Sequence, residues 1–135
     1  MRGLLTGCTV VAIALISLQL GSIQAQDDAS TPTFYTAKVR PILEAQCGDC
    51  HMGANRKGGL VIDTRAGLKM GGRDGAVIVP GDPDNSLLVK LIRHEGPPDD
   101  PMPMPPKKPK MSDADIAIIT AWVKAGAVMP PDPPK

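Results

Sequence analysis

A cysteine pair followed directly by a histidine, Cys47-Gly48-Asp49-Cys50-His51, carries the chemistry in this sequence. Two thiols separated by two residues can each form a thioether with a vinyl group of one porphyrin, and the adjacent imidazole is then placed to bind the iron. The motif therefore predicts one covalently bound heme c, attached through Cys47 and Cys50, with His51 as the proximal iron ligand.

Other chemistries use some of the same residues. A thioredoxin-type dithiol needs a βαβ setting, which the surrounding sequence does not indicate. A zinc site formed by Cys47, Cys50, His51 and the other histidine, His94, would place two adjacent ligands on one tetrahedral ion. A disulfide between Cys47 and Cys50 would give His51 no role. Heme attachment uses all three residues of the motif.

The sixth iron ligand is expected in a Pro-rich run from 96 to 109, which contains Met102 and Met104. A thioether binds iron when its backbone is held stiffly, and prolines on both sides restrict the backbone. Met104 is the predicted ligand, and Met102 is the second candidate. The remaining alternatives are Met70, Met111, His94 or an open position.

The N-terminal residues 1–25 have the order of a secretory signal peptide. Arg2 precedes an apolar run over 4–20, and small residues follow it up to Ala25. Cleavage after Ala25 would give a periplasmic or otherwise exported protein, whereas an uncleaved segment would anchor it to a membrane. Cys8 precedes the apolar run instead of following it, so lipid attachment at this thiol is not expected.

The rest of the chain, about 110 residues, has the size of one domain. We divide it into an N-terminal linker (26–33), a cytochrome-sized domain (34–129) and a Pro-rich tail (130–135). Its aromatic side chains are few, so a buried porphyrin would supply bulk to the core. The full sequence has 15 Lys and Arg against 14 Asp and Glu, so its near-zero net charge gives no electrostatic attraction for nucleic acid. The aromatic residues are Phe34, Tyr35 and Trp122.

Helical patterns occur in three stretches. The first begins at Thr31-Pro32, a cap followed by proline, and Pro41 inside it predicts a kink or restart. The second covers 86–92. The last begins at the capping residue Ser112, ends before Gly126 and includes Trp122 as an expected core residue. The expected inner face of the second helix consists of Leu87, Leu88 and Leu91.

Two short apolar segments, Leu60–Ile62 and Val77–Val79, are rich enough in β-branched residues to form a small two-stranded β ribbon. Asp63 is expected to cap a short helix that follows the first segment. Asp84 or Asn85 is expected to cap the helix over 86–92.

As a whole, the sequence resembles the small c-type cytochrome domain of planctomycete-like bacterial proteins, which is related to class I cytochromes c. The resemblance implies an all-α, cytochrome c-like fold in which the first and last helices cross, with Met104 as the axial methionine. It covers about Phe34 to Val128 and rests on Val39–Leu43, the motif at 47–51, Gly58–Arg65, Val79–Pro83, Ser86–Leu88, Met104–Pro106 and Trp122–Ala127.

The leading hypothesis is an exported mono-heme cytochrome that carries one electron and is not an enzyme. Its partners would be redox proteins that dock transiently, and Lys107, Lys108 and Lys110 would steer an acidic partner to the heme edge. The alternative is a heme enzyme or a sensor of gas or peroxide with an open or displaceable sixth position, near which Arg73 and Arg93 would act on the bound ligand. A third hypothesis is an interaction module in which heme only stabilises the domain.

Overall fold

The computed structural model describes residues 28–96, 104 and 108–134, and this part of the chain is helical without a sheet. The predicted all-α class is thereby confirmed. No helix within these residues is long and apolar enough to cross a bilayer; the predicted signal segment, 1–25, lies outside them. The helices are α1 (Pro32–Phe34), α2 (Arg40–His51), α3 (Arg65–Met70), α4 (Leu87–Arg93) and α5 (Asp113–Lys124), with a π-helical segment at Tyr35–Val39 and a 3-10 turn at Lys57–Gly59.

The first helical stretch begins at the predicted cap, Thr31, and changes its winding before Pro41. Between α1 and α2 the N–H of Arg40 donates to the carbonyl of Tyr35, five positions earlier, which makes a wider π-helical turn. Proline has no N–H to donate to the carbonyl four residues before it, so a local change of hydrogen bonding is expected here. The regular helix then continues and ends at His51.

The core forms where the first helical stretch packs against α5. The rings of Tyr35 and Trp122 lie 5.3 Å apart at a tilt of 37°. Trp122 is fully buried, and its indole N–H donates to the carbonyl of Val128 at 2.9 Å. Burying large apolar side chains stabilises the fold by about 1.5–3 kcal/mol each. The predicted core role of Trp122 is confirmed, while the crossing of the first and last helices stays a prediction.

The predicted β ribbon does not form in the described part of the chain. Each of its two segments bonds to a helix instead. The N–H of Ile62 donates to the carbonyl of His51 on α2 at 3.0 Å, and the carbonyl of Val77 accepts the N–H of Leu88 on α4 at 2.9 Å. An isolated bridge between Gly72 and Gly75 is the β pairing that occurs here. The segment 60–62 is thus attached to the end of the helix that carries the heme motif.

The cap of α3 also differs from the prediction. The hydroxyl of Thr64, not the carboxylate of Asp63, accepts the N–H of Gly67, at 3.0 Å. Asp63 accepts the N–H of Gly53 instead, at 3.1 Å, across ten positions of the chain. It therefore braces the loop after the heme motif.

At the start of α4, the N-cap is Ser86 and not Asp84 or Asn85. Its fully buried hydroxyl accepts the N–H of Val79 at 2.8 Å and donates to the carbonyl of Asp82 at 2.8 Å. A buried hydroxyl with both partners present costs little, because its bonds to water are replaced. Ser86 thus joins the preceding turn to α4.

The prediction for the inner face of α4 is confirmed for one of its three leucines. The fully buried side chains of the helix are Val89 and Ile92. Leu87, Leu88 and Leu91 are half-buried, and Leu88 packs against the core.

The C-terminal segment returns to α3 and holds its first turn through Asp132. The N–H groups of Arg65 and Ala66 donate to the two carboxylate oxygens at 2.6 and 3.1 Å. Met129, three positions earlier, is buried in the core. The Pro-rich tail therefore takes part in the fold.

Replacing Asp132 by Asn is expected to destabilise the protein in a pH-dependent way. The hydrogen bonds from Arg65 and Ala66 hold the pKa of the Asp132 carboxyl below its usual value. A carboxyl with a lowered pKa in the folded chain contributes stability that is complete at neutral pH and is lost as the pH falls through that pKa. Asp132→Asn should therefore lower the urea midpoint at pH ~7 and differ less from the parent at pH ~3.

The matched control is Asp74→Asn, which removes the same charge from an exposed turn. It should leave the midpoint almost unchanged at both pH values. Equal midpoints for Asp132→Asn and the parent at neutral pH would contradict a role for this contact in stability.

Candidate heme site

The three residues of the motif lie at the C-terminal end of α2, which ends at His51. In an α-helix, residues separated by three and four positions share one face. Cys47, Cys50 and His51 have this spacing, so the helix itself brings both thiols and the imidazole to one side. All three are half-buried. The arrangement matches what attachment of one porphyrin requires.

Both thiols of the motif are free. Burial raises the pKa of Cys47 to about 11, with Lys108 acting in the opposite direction and Cys50 adding to the rise. Cys47 is therefore a protonated thiol at neutral pH, and thioether formation starts from a free thiol.

The zinc alternative is not supported by the positions of its ligands. Within residues 28–96, 104 and 108–134, no group of three or more His, Cys, Asp or Glu side chains is placed to hold a metal ion. His94, the expected fourth ligand, is exposed at the end of α4.

The imidazole of His51 shows that the site is suited to a bound group. Its Nδ1 is buried and has no hydrogen-bond partner. A buried polar atom without a partner costs about 1–3 kcal/mol and calls for an explanation. Iron bound at Nδ1 would supply the missing partner, whereas iron bound at the other ring nitrogen would leave Nδ1 to a hydrogen bond. The chemistry of the neighbouring thiols suits heme. The residues present therefore fit a c-type heme.

Met104, the predicted sixth ligand, is half-buried and held by its backbone. Its N–H donates to the carbonyl of Leu91 on α4 at 3.3 Å. Four residues later, the ammonium of Lys108 lies 3.3 Å from the carbonyl of Ala45 and 3.4 Å from the carboxylate of Asp49, both on α2. Four residues span at most about 14 Å. The segment from 104 to 108 thus connects α4 to the helix that carries the motif.

The other candidates for the sixth position lie in different settings. Met70 is 77% exposed, and Met111 is buried in the core. His94 is exposed and adopts a left-handed backbone conformation with a φ of 64°. Its N–H donates to the carbonyl of Leu91, the acceptor that Met104 also uses. Met102 lies outside the described residues, so its rank as second candidate stays a prediction.

Sequence reasoning missed the residues that brace the loop after the motif. The side-chain amide of Asn55 donates to the carbonyl of Asp49 at 3.1 Å. Together with Asp63 on the N–H of Gly53 and Ile62 on the carbonyl of His51, it holds the loop against the end of α2. The signal available in the sequence is weak, because Asn and Asp are common in loops for many reasons.

Arg93, which the enzyme hypothesis places near the iron, instead bonds to residues of the preceding turn and of α5. Its guanidinium forms an ion pair with Asp84 at 3.2 Å and lies 3.5 Å from the hydroxyl of Thr120 on α5. Arg73 is exposed. Neither arginine is therefore placed by these contacts to act on a molecule bound to the iron.

Two free thiols and an imidazole on the final turns of one helix are the arrangement that a c-type heme protein requires. Residues 47–108 match the family model described as Planctomycete cytochrome C, a little under half of the chain. The chain thus contains a planctomycete-type cytochrome c domain, as the resemblance predicted. The match begins at Cys47 and ends at Lys108, so it includes the motif and Met104 but not α5. No curated protein and no solved structure is significantly similar to the chain.

Proposed function

We propose that this protein is an exported mono-heme cytochrome that carries one electron, with His51 and Met104 as axial ligands. The observation that carries the proposal is the placement of Cys47, Cys50 and His51 on one helical face, with free thiols and a buried, unpartnered imidazole nitrogen. When bound, the heme would supply a ferric/ferrous couple of one electron.

The residues of the chain have separate roles in this function. Cys47 and Cys50 hold the group covalently, so it is not lost on reduction or oxidation. His51 and Met104 are attached to different helices, α2 and α4, whose relative position is set by the core. Ligands held on rigid elements change little between two oxidation states, and this favours fast electron exchange.

Apolar side chains near the motif would limit access of water. Met52 and Leu60 are half-buried and pack against the core on either side of the loop after the motif. A dry, apolar surrounding raises the cost of the more highly charged state of the iron and so influences the reduction potential.

We propose that the protein transforms no substrate. A heme enzyme or sensor would need a sixth position that is vacant or easily vacated, with side chains that act on the bound ligand. Met104 is held on α4 instead, and Arg93 is engaged by Asp84 and Thr120.

Export is proposed from the sequence of residues 1–25, which lie outside the described part of the structure. A c-type heme attached by two free thiols suits a protein that acquires its heme after secretion. Mass spectrometry of the N-terminus would test cleavage after Ala25, and an intact N-terminus in a membrane fraction would instead indicate an anchor.

The absorption spectrum of the full chain, produced in a host that attaches c-type heme, tests the proposed function. We expect a low-spin spectrum in both oxidation states, with the weak ferric band of a sulfur ligand. A high-spin spectrum that changes on addition of carbon monoxide or peroxide would contradict the carrier and favour the enzyme or sensor. Absence of covalent heme would contradict both.

A further inference from the structure

We propose that an exposed cationic loop next to the heme motif is the docking surface for an acidic redox protein. The cationic loop consists of Arg56, Lys57 and Arg73, which belong to two turns of the chain. This inference rests on the electron-carrier function proposed above and names the kind of partner that the carrier would meet.

The cationic loop is attached to the end of α2, where the motif lies. Asn55, the residue before Arg56, donates its side-chain amide to the carbonyl of Asp49 within the motif, at 3.1 Å. The N–H of Arg73 donates to the carbonyl of Gly58 at 2.6 Å, which joins the turn of Arg73 to that of Lys57. The two turns that carry the three cations therefore lie together at the C-terminal end of α2.

Glycines make the close approach of the two turns possible. Gly58 and Gly59 have φ angles of 66° and 76°, which side chains of L-residues rarely permit. A Cβ added to Gly72 would lie 2.9 Å from the carbonyl oxygen of Gly58. The two turns consequently have a defined shape, and the charges that they carry are held in a defined place.

The side chains of the three cations extend from this loop without ion-pair partners in the described part of the chain. Arg56, Lys57 and Arg73 are exposed, and none of them forms an ion pair within the part of the chain that the structure describes. The nearby carboxylates are Asp63, which accepts the N–H of Gly53, and Asp74, which follows Arg73.

The lysines that the sequence suggests for steering a partner, unlike the cations of this loop, are ion-paired where the structure describes them. Lys108 pairs with Asp49 at 3.4 Å and Lys110 with Asp113 at 3.8 Å, while Lys107 lies outside the described residues. The loop is therefore the better candidate for long-range attraction. Uncompensated surface charge steers an oppositely charged partner and raises its association rate, and the effect falls with ionic strength.

The test compares two variants of the heme-loaded full chain that lose the same charge. The loop variant is Lys57→Gln/Arg73→Gln; Arg56 is kept because its Nε donates to the carbonyl of Gly53 at 3.4 Å. The control variant is Lys90→Gln/Lys124→Gln, which removes the same charge from α4 and from the end of α5. The first readout compares the rates at which two oxidants, the anion ferricyanide and a cationic cobalt complex, oxidise the ferrous protein. The second readout is the affinity for polyglutamate.

At low salt we expect the loop variant to react about three- to tenfold more slowly with ferricyanide and faster with the cobalt complex, and to bind polyglutamate correspondingly more weakly. The control should change both far less, and high salt should remove the differences. Equal effects in the two variants would overturn the proposed surface. If the parent exchanges electrons with neither oxidant, the proposed carrier function is contradicted. The affinity for polyglutamate then still decides whether the loop binds an acidic polypeptide.

Discussion

His51→Ala is expected to abolish the low-spin heme spectrum. The side chain is the only imidazole in the motif, it lies on the same face of α2 as the two thiols, and its buried Nδ1 has no protein partner. Alanine preserves the helix but removes the nitrogen that would bind iron, so one axial position loses its strong-field ligand. Absorption spectra in both oxidation states, with covalent heme followed on a denaturing gel, measure the effect.

The other histidine provides a matched control for this prediction. His94 lies in a left-handed conformation at the end of α4, which asparagine tolerates, so His94→Asn removes an imidazole without added backbone strain. The control should keep the low-spin spectrum. Loss of that spectrum in His94→Asn together with its retention in His51→Ala would assign the proximal position to His94.

The parts of the fold that were predictable are those decided by neighbours in the sequence. The caps at Thr31 and Ser112 each accept an N–H three positions later, and the change of winding before Pro41 follows from the missing N–H of proline. The candidate site belongs in this group, since the shared face of Cys47, Cys50 and His51 depends only on helical spacing.

The failed β ribbon and the unforeseen contact of Asp132 concern groups whose partners are distant in the chain, whereas the two cap errors, Asp63 for Thr64 and Asp84 or Asn85 for Ser86, are shifts of one or two positions. The ribbon fails because the N–H of Ile62 bonds to the end of α2 and the carbonyl of Val77 bonds to α4. Asp132 holds Arg65 across 67 positions, which no local pattern indicates. Tertiary contacts of this kind override local propensity, because they satisfy backbone groups that a short isolated strand would leave unpaired.

The inner face of α4 shows a smaller error with a similar cause. The sequence predicts Leu87, Leu88 and Leu91 as core residues, yet Val89 and Ile92 are the fully buried ones and Leu88 is half-buried against the core. Ser86 ties the start of the helix to the preceding turn, because its hydroxyl bonds to Val79 and to Asp82. Hydrophobicity alone did not contain this information.

Met104→Ala is expected to open the sixth position of the iron, whereas Met102→Ala is not. The backbone of Met104 is held on α4, four residues before Lys108 contacts α2. Removing its thioether should convert the low-spin spectrum to one that responds to carbon monoxide, and should remove the weak ferric band of the sulfur ligand. The same spectra recorded for Met102→Ala provide the control within one loop.

His94 determines how a negative result with Met104→Ala must be interpreted. The N–H groups of His94 and Met104 donate to the same carbonyl, that of Leu91, at 3.1 and 3.3 Å. An imidazole near the vacated position could take it and keep the iron low-spin without the sulfur band. Met104→Ala/His94→Asn separates the cases: a high-spin spectrum in the double variant alone would identify His94 as a substitute, while an opened site in Met102→Ala would show that the assignment of Met104 is wrong.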